Sequence, residues 1–242
     1  MTLKLFQRCR LNDSVCATLS LNNFERNCMT DDRYFGTYAR FDTENKKSAA
    51  VLLGADCIVG DLFNIDLRPF KGATRAWVQN PFGADIGYLD PQTSYKLEIL
   101  VARGWKINAI FSLVAFTDSP HEGSYWGEVA LICFDPSLAT DFNPFTSNIA
   151  KLISKGIRPK IDLGSQGVHN ITESHGSWEP SQRVPFPKTD QQTAILKKSC
   201  SMMDSLVQEG RKGNKGCYLV SWAFLLAIIA AVAFGLKSCG AF

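Results

Sequence analysis

The chain has 242 residues, of which 45% are hydrophobic and 20% charged, and its formal net charge is +3. This composition excludes a disordered chain, and so small a positive balance does not by itself imply nucleic acid. The cations are unevenly spread: Lys197, Lys198, Arg211, Lys212 and Lys215 gather just before an apolar C-terminal stretch.

No export signal is expected at the start, because residues 1–6 are a short apolar stretch followed by Arg8 and Arg10. The eight cysteines contain no Cys-x-x-Cys pair. They are expected to be thiols in a reducing compartment, mostly serving as small core residues. Residues 1–27 alternate loosely, with Val15, Ala17, Leu19 and Leu21 on one face, which predicts a strand. A polar loop follows at 42–47. Residues 49–65 are apolar and broken by Gly54 and Gly60, which predicts strands joined by a tight bend.

The clearest pattern runs from 74 to 134. Arg75-Ala76-Trp77-Val78-Gln79 reads as a strand, Asn80-Pro81-Phe82-Gly83 as a turn, and Asp85-Ile86-Gly87-Tyr88-Leu89 as the returning strand. Asp90 suits an N-cap and Pro91 the first helical position. Leu97, Leu100 and Val101 mark a helical face that Gly104 ends. Residues 105–116 alternate, and a polar loop at 118–123 leads into a last strand at 125–134. Strand, strand, helix, strand, strand without long helical crossovers predicts a mostly β fold with some α. The expected form is a small curled sheet or β-barrel with one packed helix, within a soluble domain at 1–140.

Beyond it, Ile149, Leu152 and Ile153 predict one short helix ending at Gly156. Residues 158–188 carry Pro159, Pro180, Pro185, Pro187 and three glycines, so 141–188 reads as that helix plus a linker. Thr189 and Gln192 are spaced as a capping box, and Ile195, Leu196, Met202, Met203, Leu206 and Val207 form an apolar seam. Together they predict an amphipathic juxtamembrane helix at 189–210.

Residues 217–236 hold no charge, and ten of them are Leu, Ile, Val or Phe. As a helix they would extend about 30 Å, the hydrocarbon thickness of a bilayer. Tyr218 and Trp222 suit an interfacial belt. Cations on the N-terminal flank outnumber Lys237 on the other, so a single-pass, tail-anchored membrane protein with a cytoplasmic body is expected. Ala223, Ala227, Ala231 and Gly235 recur every four residues and are candidates for close helix–helix approach in a homodimer. Arg211, Lys212 and Lys215 are candidates for contact with anionic lipid head groups.

Enzyme signatures are few. No nucleophile elbow, P-loop or dinucleotide fingerprint occurs, and His121, His169 and His175 are not spaced as a zinc set. No catalytic residue, metal or cofactor is therefore predicted.

Residues 54–135 resemble a HIRAN domain, a small barrel that occurs alone in bacterial proteins and attached to some DNA-remodelling ATPases. The carriers are Ala76-Trp77-Val78, the Asn80-Pro81-Phe82-Gly83 turn, Ile86-Gly87-Tyr88-Leu89, the helix from Pro91 to Arg103, the strand into Phe116, and Tyr125-Trp126-Gly127. The resemblance implies DNA binding, in one branch of the family to the free 3′ end of a single strand. It departs at one place: family members usually carry an Asn-Pro-Tyr-Asp-like motif in the DNA pocket, where this chain reads Arg68-Pro69-Phe70-Lys71. Arg68, Lys71 and Arg75 would then meet phosphate, with Phe70, Trp77 or Tyr88 stacking on bases. Two functions are carried forward. One is a membrane-tethered HIRAN-like module for a protein or single-stranded nucleic-acid partner. The other is a membrane-anchored scaffold or assembly protein that self-associates through its transmembrane and juxtamembrane helices.

Overall fold

Strands β1 (Tyr34–Thr43), β2 (Leu62–Phe70), β3 (Ala73–Gln79), β4 (Asp85–Leu89), β5 (Lys106–Thr117) and β6 (Ser124–Phe134) run in the order β2-β3-β4-β1-β6-β5, with every pairing antiparallel. β5 returns to β2 at Leu62↔Ile110 and Phe63↔Ala109, and this pairing closes the barrel. The computed structural model describes residues 33–118, 123–189, 192–211 and 222–229. They belong to two units, one ending at Cys200 and the other beginning at Ser201.

Local chemistry sets the turns. β2 passes to β3 through Lys71 and Gly72, at φ 49° and 82°. Two consecutive positive φ values match the right-handed twist of the flanking strands. Between β3 and β4 the buried Asn80 side chain accepts from the amides of Phe82 and Ala84, at 3.0 and 2.9 Å. Helix α2 (Pro91–Ala102) starts where expected, with Asp90 accepting from the amides of Gln92 and Thr93. It is tied to β3 where the Ser94 hydroxyl accepts from the Ala76 amide at 3.0 Å.

Phe63 stacks on Phe111 with ring centroids 4.7 Å apart, and Phe41 packs beside them. Phe41 lies against Gly127, where a Cβ would run into its ring. A fully buried side chain of this kind contributes roughly 1.5–3 kcal/mol. Cys57 and Cys133 sit in the same core, in keeping with cysteine as a small apolar residue.

More than one helix packs on the barrel. Of the stretch 49–65 expected as strands, only its end is strand, in β2, while its start belongs to α1 (Lys46–Leu53), because the Asn45 side chain accepts from the Ser48 amide and caps a turn that buries Ala49 and Leu52. α3 (Ala139–Ser154) is sixteen residues long, not one short helix, and buries Phe142, Phe145, Ile149, Leu152 and Ile153 at helical spacing. The expected linker is packed as well. It contains α4 (Ser165–Glu173) and places Ile161, Leu163, Val168 and Ile171 in the core. Its flanks form a small ladder, with Lys160 N–H donating to Gln182 O and Val184 N–H to Arg158 O. Residues 157–187 are therefore a strap. Tyr34 and Tyr38 of β1 hold it by donating their phenols to Ile161 O and Pro159 O, at 2.6 and 2.9 Å. Proline and glycine had signalled the absence of long elements, which is not the absence of burial.

The expected helix at 189–210 is split. β7 (Thr193–Lys197) adds to β5 opposite Val114–Thr117, with Ile195 against Leu113, Ala115 and Trp126. The helix starts only at α5 (Met202–Arg211), where Ser201 and Asp204 bond each other reciprocally in place of the predicted Thr189–Gln192 box. The strand predicted within 1–27 lies outside the described residues. Of the predicted span, residues 222–229 are described and helical. Among the described residues no helix is long and apolar enough to cross a membrane.

Candidate nucleic-acid interface

Alternation along β2 and β3 sorts their side chains to two faces. Ala76 and Val78 are fully buried, while Arg75, Trp77 and Gln79, which alternate with them, are half-buried and project outward. On β2 the inward set is Phe63, Ile65 and Leu67, and the outward set is Asp66, Arg68 and Phe70. Tyr88 joins them from β4, directly opposite Trp77. All six barrel residues singled out from the sequence thus share one outer face, and none of the three aromatics belongs to the core.

The cations on this face are not equivalent. Arg68 donates from Nε to Asp66 at 2.6 Å and from both terminal nitrogens to Asp85, at 2.8 and 3.0 Å. Gln79 also donates to Asp85, at 2.9 Å. The Arg68 hydrogen bonds hold the Asp85 carboxyl below its ordinary range. Arg68 therefore spends its donors on neighbours, and its guanidinium lies 5.5 Å from the Trp77 ring. Its charge is offset by the two carboxylates. Arg75 differs: its guanidinium lies 3.7 Å from the Phe70 ring and 4.4 Å from the Tyr88 ring. Lys71, exposed at the β2–β3 turn, lies 5.2 Å from Phe70. Among the described residues, Arg75 and Lys71 have no carboxylate partner. Two rings thus hold the Arg75 guanidinium within cation–π range while its donors meet no carboxylate among the described residues, an arrangement that suits an incoming phosphate.

The face continues where the sequence reading stopped. Tyr88 is opposite Asp42 of β1, which is opposite Trp126 of β6. At about 4.8 Å per strand, the row from Trp77 to Trp126 measures about 14 Å. Arg40 lies over Trp126 at 4.4 Å and donates to Asp42. Trp126 is 5% exposed and covered by Phe186 and Ile195, so the open surface ends at Arg40. The alternation of Tyr38, Arg40 and Asp42 was the available signal for this extension.

Other features are less suited to a ligand. Arg158 belongs to the strap, and its side chain is buried and paired with Glu128 at 2.7 Å, both side chains being under 10% exposed. A groove of about 230 Å³ beside α4 is lined by Lys160, Asp162, Gln166, Trp178 and Gln182 among others. It is smaller than the roughly 300–1,000 Å³ of ordinary small-molecule sites. Among the described residues no group of three or more His, Cys, Asp or Glu side chains could hold a metal ion. Ala223 and Ala227 lie on the helical stretch 222–229 and Arg211 ends α5, while Ala231, Gly235, Lys212 and Lys215 lie outside the described residues. No family model, curated protein or solved structure matches the chain.

Proposed function

We propose that the barrel is a binding module, rather than an enzyme, that holds single-stranded nucleic acid on the outer face of β2–β4 while the C-terminal span keeps it at a membrane. The observation that carries the reading is Arg75, close to both the Phe70 and Tyr88 rings and without a carboxylate partner among the described residues, on the face it shares with Lys71 and Trp77. Cations that track phosphate beside rings that stack on bases are the common equipment of single-strand binders. In that role Arg75 and Lys71 contact phosphate, and Phe70, Trp77 and Tyr88 stack. The HIRAN resemblance points the same way. Membrane attachment is supported by the helical stretch 222–229, whose Trp222, Phe224, Leu225, Leu226, Ile228 and Ile229 are all about half exposed or more. Apolar side chains presented all round a helix are suited to lipid, not water. The cation asymmetry supports a cytoplasmic body.

The test is fluorescence anisotropy of a labelled oligothymidylate with the full chain in lipid nanodiscs, across a salt series. Binding should weaken with salt, with a logarithmic slope of about −0.7 for each phosphate neutralised. Arg75→Ala with Lys71→Asn should flatten that slope by about 1.4. Asn tolerates the positive φ at this turn, so the hairpin keeps its shape. Absence of salt-sensitive binding at low salt would remove nucleic acid as the ligand. Self-association of the chain under those conditions would favour the scaffold role instead.

A further inference from the structure

Helix α5 has no buried residue, and Met202, Met203 and Leu206 are 87%, 71% and 66% exposed. At 100° per residue, Met202, Met203, Leu206, Val207 and Gly210 fall within an arc of about 140°. Asp204, Ser205, Gln208, Glu209 and Arg211 occupy the rest of the circle. The helix is capped at its start by Ser201, whose hydroxyl accepts from the Asp204 amide at 3.1 Å. An isolated helix of this length is marginal in water, because helices shorter than about 12 residues rarely persist unaided. An apolar stripe of this width therefore needs something to cover it.

Two features decide the occupant. The first is reach. Only residues 212–216 separate α5 from the uncharged segment 217–236, and such a connection extends at most about 20 Å. Once that segment is inserted, the end of α5 cannot leave the neighbourhood of the bilayer surface. The second is charge. Arg211, Lys212 and Lys215 follow Gly210 with no acid among them, and cations at this position are drawn to anionic head groups. Pairing with a second copy is disfavoured by length, because ten residues supply under two heptads and a stable coiled coil needs three or four.

We propose that α5 is an interfacial helix, with Met202, Met203, Leu206 and Val207 seated at the head-group boundary of an anionic leaflet and its polar side turned to water. This rests on the reading of 217–236 as a membrane span. Met and Leu suit an irregular acyl surface because they are unbranched at Cβ and adapt their rotamers.

The experiment uses the full chain reconstituted into vesicles of phosphatidylcholine alone, or with about one-third phosphatidylserine, a content that gives the leaflet its negative potential. Resistance to alkaline extraction reports insertion, and hydrogen exchange of the α5 amides reports docking. Insertion in both vesicles, with α5 exchange slowed about tenfold or more only where phosphatidylserine is present, is the expected result. Met203→Gln with Leu206→Gln should abolish that protection and leave insertion intact, since Gln is as good a helix former. Insertion with fast α5 exchange in both vesicles overturns the proposal and leaves the anchor standing. Protection that rises with protein-to-lipid ratio and ignores lipid charge assigns the stripe to a second copy and overturns it too. Failure to insert overturns the anchor and the proposal together.

Discussion

Arg158 and Arg75 each lie against two aromatic rings, yet their surroundings give them opposite roles. Arg158 packs 4.5 Å from the Tyr38 ring and 5.1 Å from Phe186, donates to Pro185 O, and meets Glu128 at 2.7 Å. Arg75 lies close to the Phe70 and Tyr88 rings on the open side, with no carboxylate beside it among the described residues. A guanidinium sealed on all sides, with its charge neutralised, serves cohesion. The same group left open with unspent donors is available to a ligand, as the proposed function requires. Burial and pairing decide between these, not residue type.

The largest expected effect lies on the sealed side. Arg158→Ala leaves the Glu128 carboxylate buried without its partner, and should cost about 3–5 kcal/mol of stability in denaturant titration. Arg75→Ala should cost no more than about 1 kcal/mol of stability, the scale of exposed cation–π contacts. Comparable losses for the two variants would erase the distinction. The second effect lies on the open side and appears in binding. Phe70→Ala and Tyr88→Ala should each weaken oligonucleotide affinity by about 1–3 kcal/mol. A third is smaller: Tyr38→Phe removes the phenol that donates to Pro159 O, and should cost about 0.5–1.5 kcal/mol without touching affinity.

The smallest effects are in pH dependence, and they have opposite signs. Burial pushes the Glu128 carboxyl up, and Arg158 only partly offsets this. Its contribution is therefore present below the unfolded value of about 4.3 and is lost as pH rises through the higher folded value. Asp85 is held low by the Arg68 hydrogen bonds. Its contribution is present above the unfolded value of about 3.9 and is lost as pH falls through the lower folded value. Solvent screening keeps the Asp85 effect the lesser of the two. Stability measured against pH for Glu128→Gln and Asp85→Asn should show the two slopes removed separately.

How much of this was legible in the sequence follows from the range of the interactions. The β3–β4 hairpin and α2 were readable because their signals are local: Asn80 closes its own turn, and Asp90 caps the next helix. The six barrel residues were named through the HIRAN resemblance, and the two-residue period of the strands with their short hairpins is the physical reason they share a face. That Arg68 is consumed by Asp85 was not readable, since a bulge between Val78 and Gln79 sets the register that brings the two together. The strap was misread for a similar reason. Its anchors, Tyr34, Tyr38 and Glu128, are 30 to 127 residues from the groups they hold. β7 and α5 looked like one helix because their apolar residues happen to continue a helical seam, and only pairing with β5 separates them.

The most direct test of the open face is ultraviolet cross-linking of an oligothymidylate to the full chain in nanodiscs, mapped by peptide mass spectrometry. Cross-links at Phe70, Trp77 and Tyr88, lost on competition with unlabelled strand, are the expected result. Cross-links confined to the strap or to the C-terminal unit, or their absence under conditions where binding is measured, would contradict the assignment of the β2–β4 face as the binding surface.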